Sequence, residues 1–376
     1  MTFRIAVVVG TRPEVIKMAP VVARLAEAPD MEPLTIVTAQ HRELLDQVLG
    51  LFDVGIAADL DLMRADQRLA PFVARALDAV SETIDEMRPD AVLVQGDTNT
   101  AMAAALAAFY ARTPVGHVEA GLRSHDRTRP FPEEVNRRVI TSTADVHFAP
   151  TTGARANLLA EGIPDADVVV TGNTIVDALR SLDLTVPFED ATLTAACAGD
   201  APVVLLTAHR RENFGEPLRR VCHAVRRLTE EREVNVVYPV HLNPNVQRVV
   251  TEELAGLPRV HLVPPVSYRD LLLLLARSRF AMTDSGGIQE EGPSLDTPVL
   301  VLRDVTERPE LTESGAGRLV GTSEDVIVRE ALRLLDDDAH HHAMASAPNP
   351  FGDGRAAERI VSALRERLEG ASHHAR

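Results

Sequence analysis

The sequence predicts an α/β protein of two Rossmann-like, doubly wound domains facing a central cleft. Short β-branched runs alternate with longer amphipathic stretches almost throughout, the pattern of parallel strands joined by crossover helices. The length of 376 residues suggests two domains at about 150 residues each. Polar clusters also recur just after the strand candidates, where ligands bind in open α/β sheets.

The first-half strand candidates are Ile5–Val9, Leu34–Val37, Ala91–Val94, Val115–Val118, Val146–Ala149 and Val168–Val170. Amphipathic stretches such as Glu14–Ala28 and Leu69–Met87 lie between them, and the first domain is taken as 1–180. The least patterned region, about Ser181–Ala201, reads as a linker carrying Pro187, Gly199 and acidic residues. A second domain, 181–354, offers strands Val203–Thr207, Val234–Tyr238, Val260–Val263, Phe280–Thr283 and Val299–Leu302. Its helices include Glu216–Glu231 and Glu324–Leu335, and a final helical segment, Arg355–Glu369, follows the Pro/Gly-rich break at Pro348–Gly354.

Composition narrows the function classes. An apolar content of 45% is ample for two cores. Acidic residues outnumber basic ones 55 to 39, a formal charge of −16, which argues against nucleic acid or an anionic membrane as partner. A phosphate-bearing ligand must then be met by a local cluster of Arg, Lys and helix ends. Two cysteines, Cys197 and Cys222, make a disulfide framework or a Cys-based zinc site implausible, and no metal is expected. The longest apolar runs, Ala101–Tyr110 and Leu271–Ala276, are far short of a membrane span of about 20 residues, and Ile5–Val9 is shorter than a signal-peptide core. The expectation is a soluble, cytoplasmic protein.

Six polar clusters follow strands: Gly10-Thr11-Arg12, Gln95-Gly96-Asp97, Glu119-Ala120-Gly121, His209-Arg210-Arg211, Val240-His241 and Asp284-Ser285-Gly286-Gly287. All six should converge on one crevice. Thr11 is placed as an N-cap with Pro13 in the first turn, so the segment is at least a well-capped helix start. Arg12 and Lys17 could add charge beside its free N–H groups. Gly286 and Gly287 allow a phosphate close to the backbone. Glu290 and Glu291 could accept ribose hydroxyls, and burying them is costly without hydroxyl or cation partners. Asp97 and Glu119 each cap an apolar strand, and paired carboxylates in a cleft suggest proton transfer. Glu134, Arg137 and Arg138 read as a solvated, salt-bridged face, as do His340-His341-His342 and His373-His374 as solvated histidines. Gly315-Ala316-Gly317 precedes a strand and reads as a turn. There is neither a Gly-x-Gly-x-x-Gly after the first strand nor a Walker lysine loop, so bound nicotinamide and ATPase chemistry are disfavoured and no cofactor is expected.

These residues resemble a known family, the non-hydrolysing UDP-N-acetylglucosamine 2-epimerases. The matching motifs are Gly10-Thr11-Arg12-Pro13-Glu14 with Lys17, Gln95-Gly96-Asp97-Thr98 and His117-Val118-Glu119-Ala120-Gly121-Leu122-Arg123. Pro132-Glu133-Glu134, Asn136-Arg137, Thr171-Gly172-Asn173-Thr174, His209-Arg210-Arg211-Glu212-Asn213 and Pro239-Val240-His241 follow in family order. The last are Asp284 to Glu291 and Thr306-Glu307-Arg308-Pro309-Glu310. The resemblance implies the GT-B arrangement of two domains, with the final helix, 355–370, crossing back to the first domain, and a homodimer. It further implies interconversion of UDP-GlcNAc and UDP-ManNAc through elimination of UDP to a 2-acetamidoglucal. By resemblance Asp97, Glu119 and Glu133 are the catalytic acids, and His209 acts with them at the UDP phosphates. Arg12, Lys17, Ser285, Gly286, Gly287, Glu291 and Arg308 match nucleotide-site positions. Leu271 departs from the family, standing where an aromatic near the uracil is expected. A GT-B glycosyltransferase or a non-catalytic sugar-nucleotide sensor would not need the carboxylate trio. A hydrolysing enzyme, or one acting on another UDP-2-acetamido sugar, stays open.

Relatives can also bind a second UDP-GlcNAc as activator, through residues matched here by Gln40, Arg210 and His241. Glu43 and Asp66 stand where relatives carry glutamine and arginine, and a like-charge contact costs about 1 kcal/mol at 4 Å even in water. Activation should therefore be weak or absent. A reverse reaction started with pure UDP-ManNAc should proceed without delay; a long lag abolished by traces of UDP-GlcNAc would contradict this.

Overall fold

The structure, a computed structural model, describes residues 2–38, 42–64 and 67–374. Two compact units form, Met1–Ser181 with Phe351–Arg376, and Leu182–Pro350. In the first unit the strands are β1 (Phe3–Val9), β2 (Met31–Val37), β3 (Ala58–Asp59), β4 (Ala91–Gln95), β5 (Val115–Val118), β6 (Val146–Ala149) and β7 (Val168–Val170). All pair in parallel, in the order β3-β2-β1-β4-β5-β6-β7. The helices are α1 (Arg12–Glu27), α2 (Arg42–Leu51), α3 (Leu69–Met87), α4 (Asn99–Tyr110), α5 (Glu133–Thr143), α6 (Thr152–Ala160) and α7 (Thr174–Arg180).

Strands β1 and β4 are continuous apolar runs because both faces of a parallel sheet are covered. Ala101, Ala104, Ala105 and Ala108 of α4 pack on Val8, Val92 and Val94, and their small side chains let the helix lie close to the sheet.

In the second unit the helix α8 (Ala191–Ala196) precedes strands β8 (Val203–Thr207), β9 (Asn235–Pro239), β10 (Val260–Val263), β11 (Phe280–Thr283), β12 (Val299–Val301) and β13 (Gly317–Leu319). Their order is β10-β9-β8-β11-β12-β13, again all parallel. The crossovers include α9 (Glu216–Glu231), α10 (Pro244–Leu254), α11 (Tyr268–Arg277), α12 (Gly286–Ser294), α13 (Pro309–Glu313), α14 (Glu324–Asp336) and α15 (Asp338–Ala345). The last helix, α16 (Ala356–His374), belongs to the first unit. It buries Ile360, Val361 and Leu364, and Arg365 donates to both oxygens of Asp30 at 2.8 and 2.9 Å. Among the described residues no helix is long and apolar enough to cross a membrane.

Both sheets follow the Rossmann order, whose topological switch points fall here between β1 and β4 and between β8 and β11. The structure departs from the sequence reading in several places. The stretch expected to be a linker contains α8, and Phe188, Leu193 and Ala196 sit in the second unit's core. It is docked there by Asp270, whose carboxylate accepts the N–H groups of Glu189 and Asp190 at 2.9 and 3.0 Å. Strand β3 escaped notice because two residues leave no alternation to read. His341 is half-buried, its Nε2 2.7 Å from the Arg279 carbonyl oxygen, not a solvated ring.

His117 of β5 and His147 of β6 are register partners and both are buried. Burial pushes their pKa values down, to about 3 and about 4. A depressed folded pKa gives stability that is present above the unfolded value near 6.5 and is lost as pH falls. Unfolding at pH 5 therefore takes up a proton at each ring. In His147→Gln the unfolding free energy should fall less steeply between pH 6 and 4.5, by about 1.4 kcal/mol per pH unit. Denaturant titrations showing the same slope as wild type would contradict a neutral buried His147.

Candidate active site

The polar clusters sit where β1, β4, β5, β8, β9 and β11 end. In the first unit the apex is built around Glu14, the third residue of α1 and wholly buried. One carboxylate oxygen accepts from the N–H groups of Gly10 (3.0 Å) and Thr11 (2.7 Å) and from the Thr11 hydroxyl (2.7 Å). The other accepts from the hydroxyl of Thr98 (2.6 Å), the N-cap of α4. Glu14 thus ties the loop after β1 to the loop after β4. Burial pushes its pKa up, against the pull of these hydrogen bonds.

Asp97 follows Gly96, whose φ of 72° is left-handed backbone that glycine adopts readily. The Asp97 carboxylate accepts from Arg137 Nε at 2.9 Å and Nη2 at 2.6 Å, and the Asp97 carbonyl accepts from Asn136 Nδ2 at 2.9 Å. Arg137 in turn donates to Glu134 at 3.1 Å, and Glu134 accepts the Ser124 N–H at 2.9 Å. Burial raises the Glu134 pKa, but the Ser124 N–H, Arg138 and the charge of Arg137 outweigh it and hold the carboxyl below its ordinary value. Glu134 and Arg137 are therefore a buried ionic network behind Asp97. This corrects the solvated face expected from sequence for Glu134 and Arg137, which α5 turns inward, whereas Arg138 is exposed and paired with Glu134 as expected.

Glu119, just beyond β5, has φ 64°, unusual for a residue with a side chain. Its carboxylate bonds the ammonium of Lys17 and accepts from Gln95 Nε2 at 3.1 Å. Lys17, expected at a nucleotide, is thus engaged by a carboxylate. Glu133 opens α5, and Arg12 opens α1.

In the second unit Asp284, fully buried after β11, has the corresponding part. It accepts the N–H groups of His209 (2.8 Å) and Arg210 (2.8 Å) and the Asn213 amide (2.9 Å). The His209 ring stacks on His241, with centroids 5.3 Å apart. Helix α12 starts after Ser285, with Gly286 and Gly287 in its first turn. A Cβ at Gly286 would stand 3.0 Å from the Arg308 guanidinium, so the glycine admits that side chain. Arg308 donates to Glu290 at 2.6 Å and to Glu307 at 2.9 Å. Burial opposes ionisation of Glu307, but Arg308 and Arg303 hold its pKa at about 2. Glu291 accepts from the Tyr268 hydroxyl at 2.9 Å. Both acids after the glycines have the cation or hydroxyl partner that burial demands.

Leu271 packs against the second unit's core. Of the three residues matched to an activator site, Gln40 lies outside the described residues, as does Asp66. Arg210 lies 4.0 Å from Glu307, and His241 is the ring stacked on His209. Among the described residues no group of three or more His, Cys, Asp or Glu could hold a metal ion. Glu14, Asp284, Asn136 and Tyr268 were given no role from sequence. Glu14 carried the capping-box spacing from Thr11, and Asp284 and Asn136 stood inside matching motifs with nothing in the sequence to show what they bond.

The geometry defines a doubly wound α/β protein with buried carboxylates at its switch points and a glycine-fronted helix N-terminus suited to an anion. The chain belongs to the UDP-N-acetylglucosamine 2-epimerase family, whose model matches residues 23–365. A Thermotoga maritima relative is 52% identical over 363 residues, 96% of each chain. The UDP-N-acetylglucosamine 2-epimerase of Bacillus subtilis is 48% identical over 362 residues, 96% of this chain and 94% of that one. The structure of the Neisseria meningitidis UDP-GlcNAc 2-epimerase bound to UDP-GlcNAc superposes with a TM-score of 0.89 at 41% identity, covering 97% of this chain and 100% of that one.

Asp284→Ala leaves one buried and two half-buried donors without this acceptor and should destabilise the protein by about 3 kcal/mol. Asp284→Asn, which keeps one accepting oxygen, should cost about half as much. A loss below about 1 kcal/mol for Asp284→Ala in urea denaturation would show that this carboxylate does not hold the loop.

Proposed function

We propose that this protein epimerises UDP-N-acetylglucosamine at C2, giving UDP-N-acetylmannosamine, without hydrolysis. The observation that carries the reading is the complete trio Asp97, Glu119 and Glu133 in a chain of this family. The C2 proton has no neighbouring carbonyl to acidify it, so a carbanion is out of reach and elimination is the feasible course. A carboxylate takes the C2 proton, the C2–H electrons form the C1=C2 bond, and the C1–O bond breaks with its electrons leaving on UDP. The 2-acetamidoglucal is then protonated at C2 on its other face while a UDP oxygen re-forms the bond to C1.

Each step asks for groups that the chain supplies. Asp97, Glu119 and Glu133 serve the proton transfers. Arg137 fixes the Asp97 carboxylate through two nitrogens, and Lys17 keeps a positive charge beside Glu119. The diphosphate is met by Ser285, Gly286 and Gly287 at the α12 N-terminus, with His209, Arg12 and Arg308 as the cationic or hydrogen-bonding groups. Glu291, oriented by Tyr268, accepts from ribose hydroxyls. The protein acts as a homodimer.

An NMR time course with UDP-GlcNAc in deuterated water tests this. UDP-ManNAc should accumulate with deuterium at C2, with no added NAD or metal. Retention of the original C2 hydrogen would rule out elimination, and release of free ManNAc with UDP would assign a hydrolysing enzyme. Asp97→Asn should lower kcat by at least about a hundredfold and leave UDP affinity within about tenfold, whereas His209→Ala should weaken both.

A further inference from the structure

His117 opens the His-Val-Glu-Ala-Gly-Leu-Arg stretch, and none of the roles above uses it. It is wholly buried in β5, with Nε2 2.8 Å from the carbonyl oxygen of Gly96. A carbonyl can only accept, so Nε2 carries the ring proton and Nδ1 the lone pair. Among the described residues Nδ1 has no hydrogen-bond partner, as suits a ring kept neutral among apolar strands. With its pKa pushed down to about 3 by burial, the ring stays neutral through the physiological range.

The next peptide is held in the same way. The Asp97 carbonyl accepts from Asn136, and the Asp97 side chain accepts from Arg137. Two successive carbonyls, Gly96 and Asp97, each have a dedicated side-chain donor from another element. A strand that simply runs into its helix needs neither. The Gly96 N–H, for its part, bonds the Val118 carbonyl at 3.0 Å. The turn that carries Asp97 is therefore fixed on both sides of Gly96 by β5, the strand that leads into Glu119.

We propose that His117 is a positioning residue for Asp97: by donating from Nε2 to the Gly96 carbonyl it sets the peptide plane from which the Asp97 carboxylate departs. It touches no substrate and moves no proton. The inference rests on the role given to Asp97 under the proposed function. A histidine that merely fills the core would affect stability and leave the chemistry of Asp97 alone.

The experiment is a double-mutant cycle of His117→Leu with Asp97→Asn, reading kcat, KM, UDP affinity and the thermal transition, with His117→Gln as the conservative variant. Glutamine places an amide N–H close to where Nε2 stands. His117→Leu should lower kcat by about 10- to 100-fold while UDP affinity stays within about threefold, and His117→Gln should recover at least about a third of kcat. In the Asp97→Asn background, His117→Leu should change the residual rate by less than about threefold, because the residue it acts through is gone. The inference is overturned if His117→Leu turns over at the wild-type rate, if His117→Gln is no faster than His117→Leu, or if the two effects multiply. Should His117→Leu fail to fold, His117→Gln is compared with His117→Asn, whose shorter arm cannot reach Gly96. A tenfold advantage for glutamine supports the inference and equal rates overturn it. Wild-type protein that does not turn over UDP-GlcNAc removes the proposed function and this inference together. Wild-type turnover with any of the overturning patterns removes the inference alone.

Discussion

A buried carboxylate bonded to main-chain N–H groups stands at the switch point of each sheet, and the rest of the site depends on it. A carboxylate out of water costs several kcal/mol unless donors surround it. Glu14 and Asp284 meet that condition by collecting amides from loops that would otherwise be free to move. The two run in opposite senses. Glu14 stands in the first turn of the helix after the first strand of its sheet and reaches Thr98 beyond the fourth. Asp284 follows the fourth strand of its sheet and reaches His209 and Arg210 beyond the first. Either way, the two loops flanking the switch point become one rigid body.

Around these anchors the charged groups are held by groups of opposite charge. Asp97 has Arg137, Glu119 has Lys17, and Arg308 has Glu290 and Glu307. A chain with a net charge of −16 has no basic field with which to draw in an anion, so its cations are placed one by one and oriented by carboxylates. Pairing also fixes geometry, since a guanidinium held at two or three of its nitrogens has little rotational freedom left. Groups set before a ligand arrives need no reorganisation during the reaction, the condition under which electrostatic stabilisation is most effective.

Much of this was legible in the sequence, for reasons that can be named. The β-branched runs showed the strands because a parallel sheet covered on both faces tolerates little else, and the boundaries of Val115–Val118 and Phe280–Thr283 are those read from the residues. The clusters after the strands located both apices. What escaped was decided by tertiary contact. Glu134 and Arg137 look like any charged helix face until α5 is placed against the loop carrying Asp97. Phe188 and Leu193 look like linker residues until the backbone amides beside them find Asp270, a carboxylate about 80 positions away. Asp284 is indistinguishable from a turn aspartate in one dimension, because its donors lie in a loop some 75 residues earlier.

Hydrogen exchange of single amides in the ligand-free protein tests most directly whether the site is set in advance by its buried carboxylates. The N–H groups of Gly10, Thr11, His209 and Arg210 lie in loops, outside any helix or strand ladder, and their protection would come from Glu14 and Asp284. Their exchange should be at least about a hundredfold slower than that of an open loop, a protection of about 2.7 kcal/mol. Exchange at the unprotected rate, slowing only when UDP is added, would show that the ligand and not the fold assembles the site.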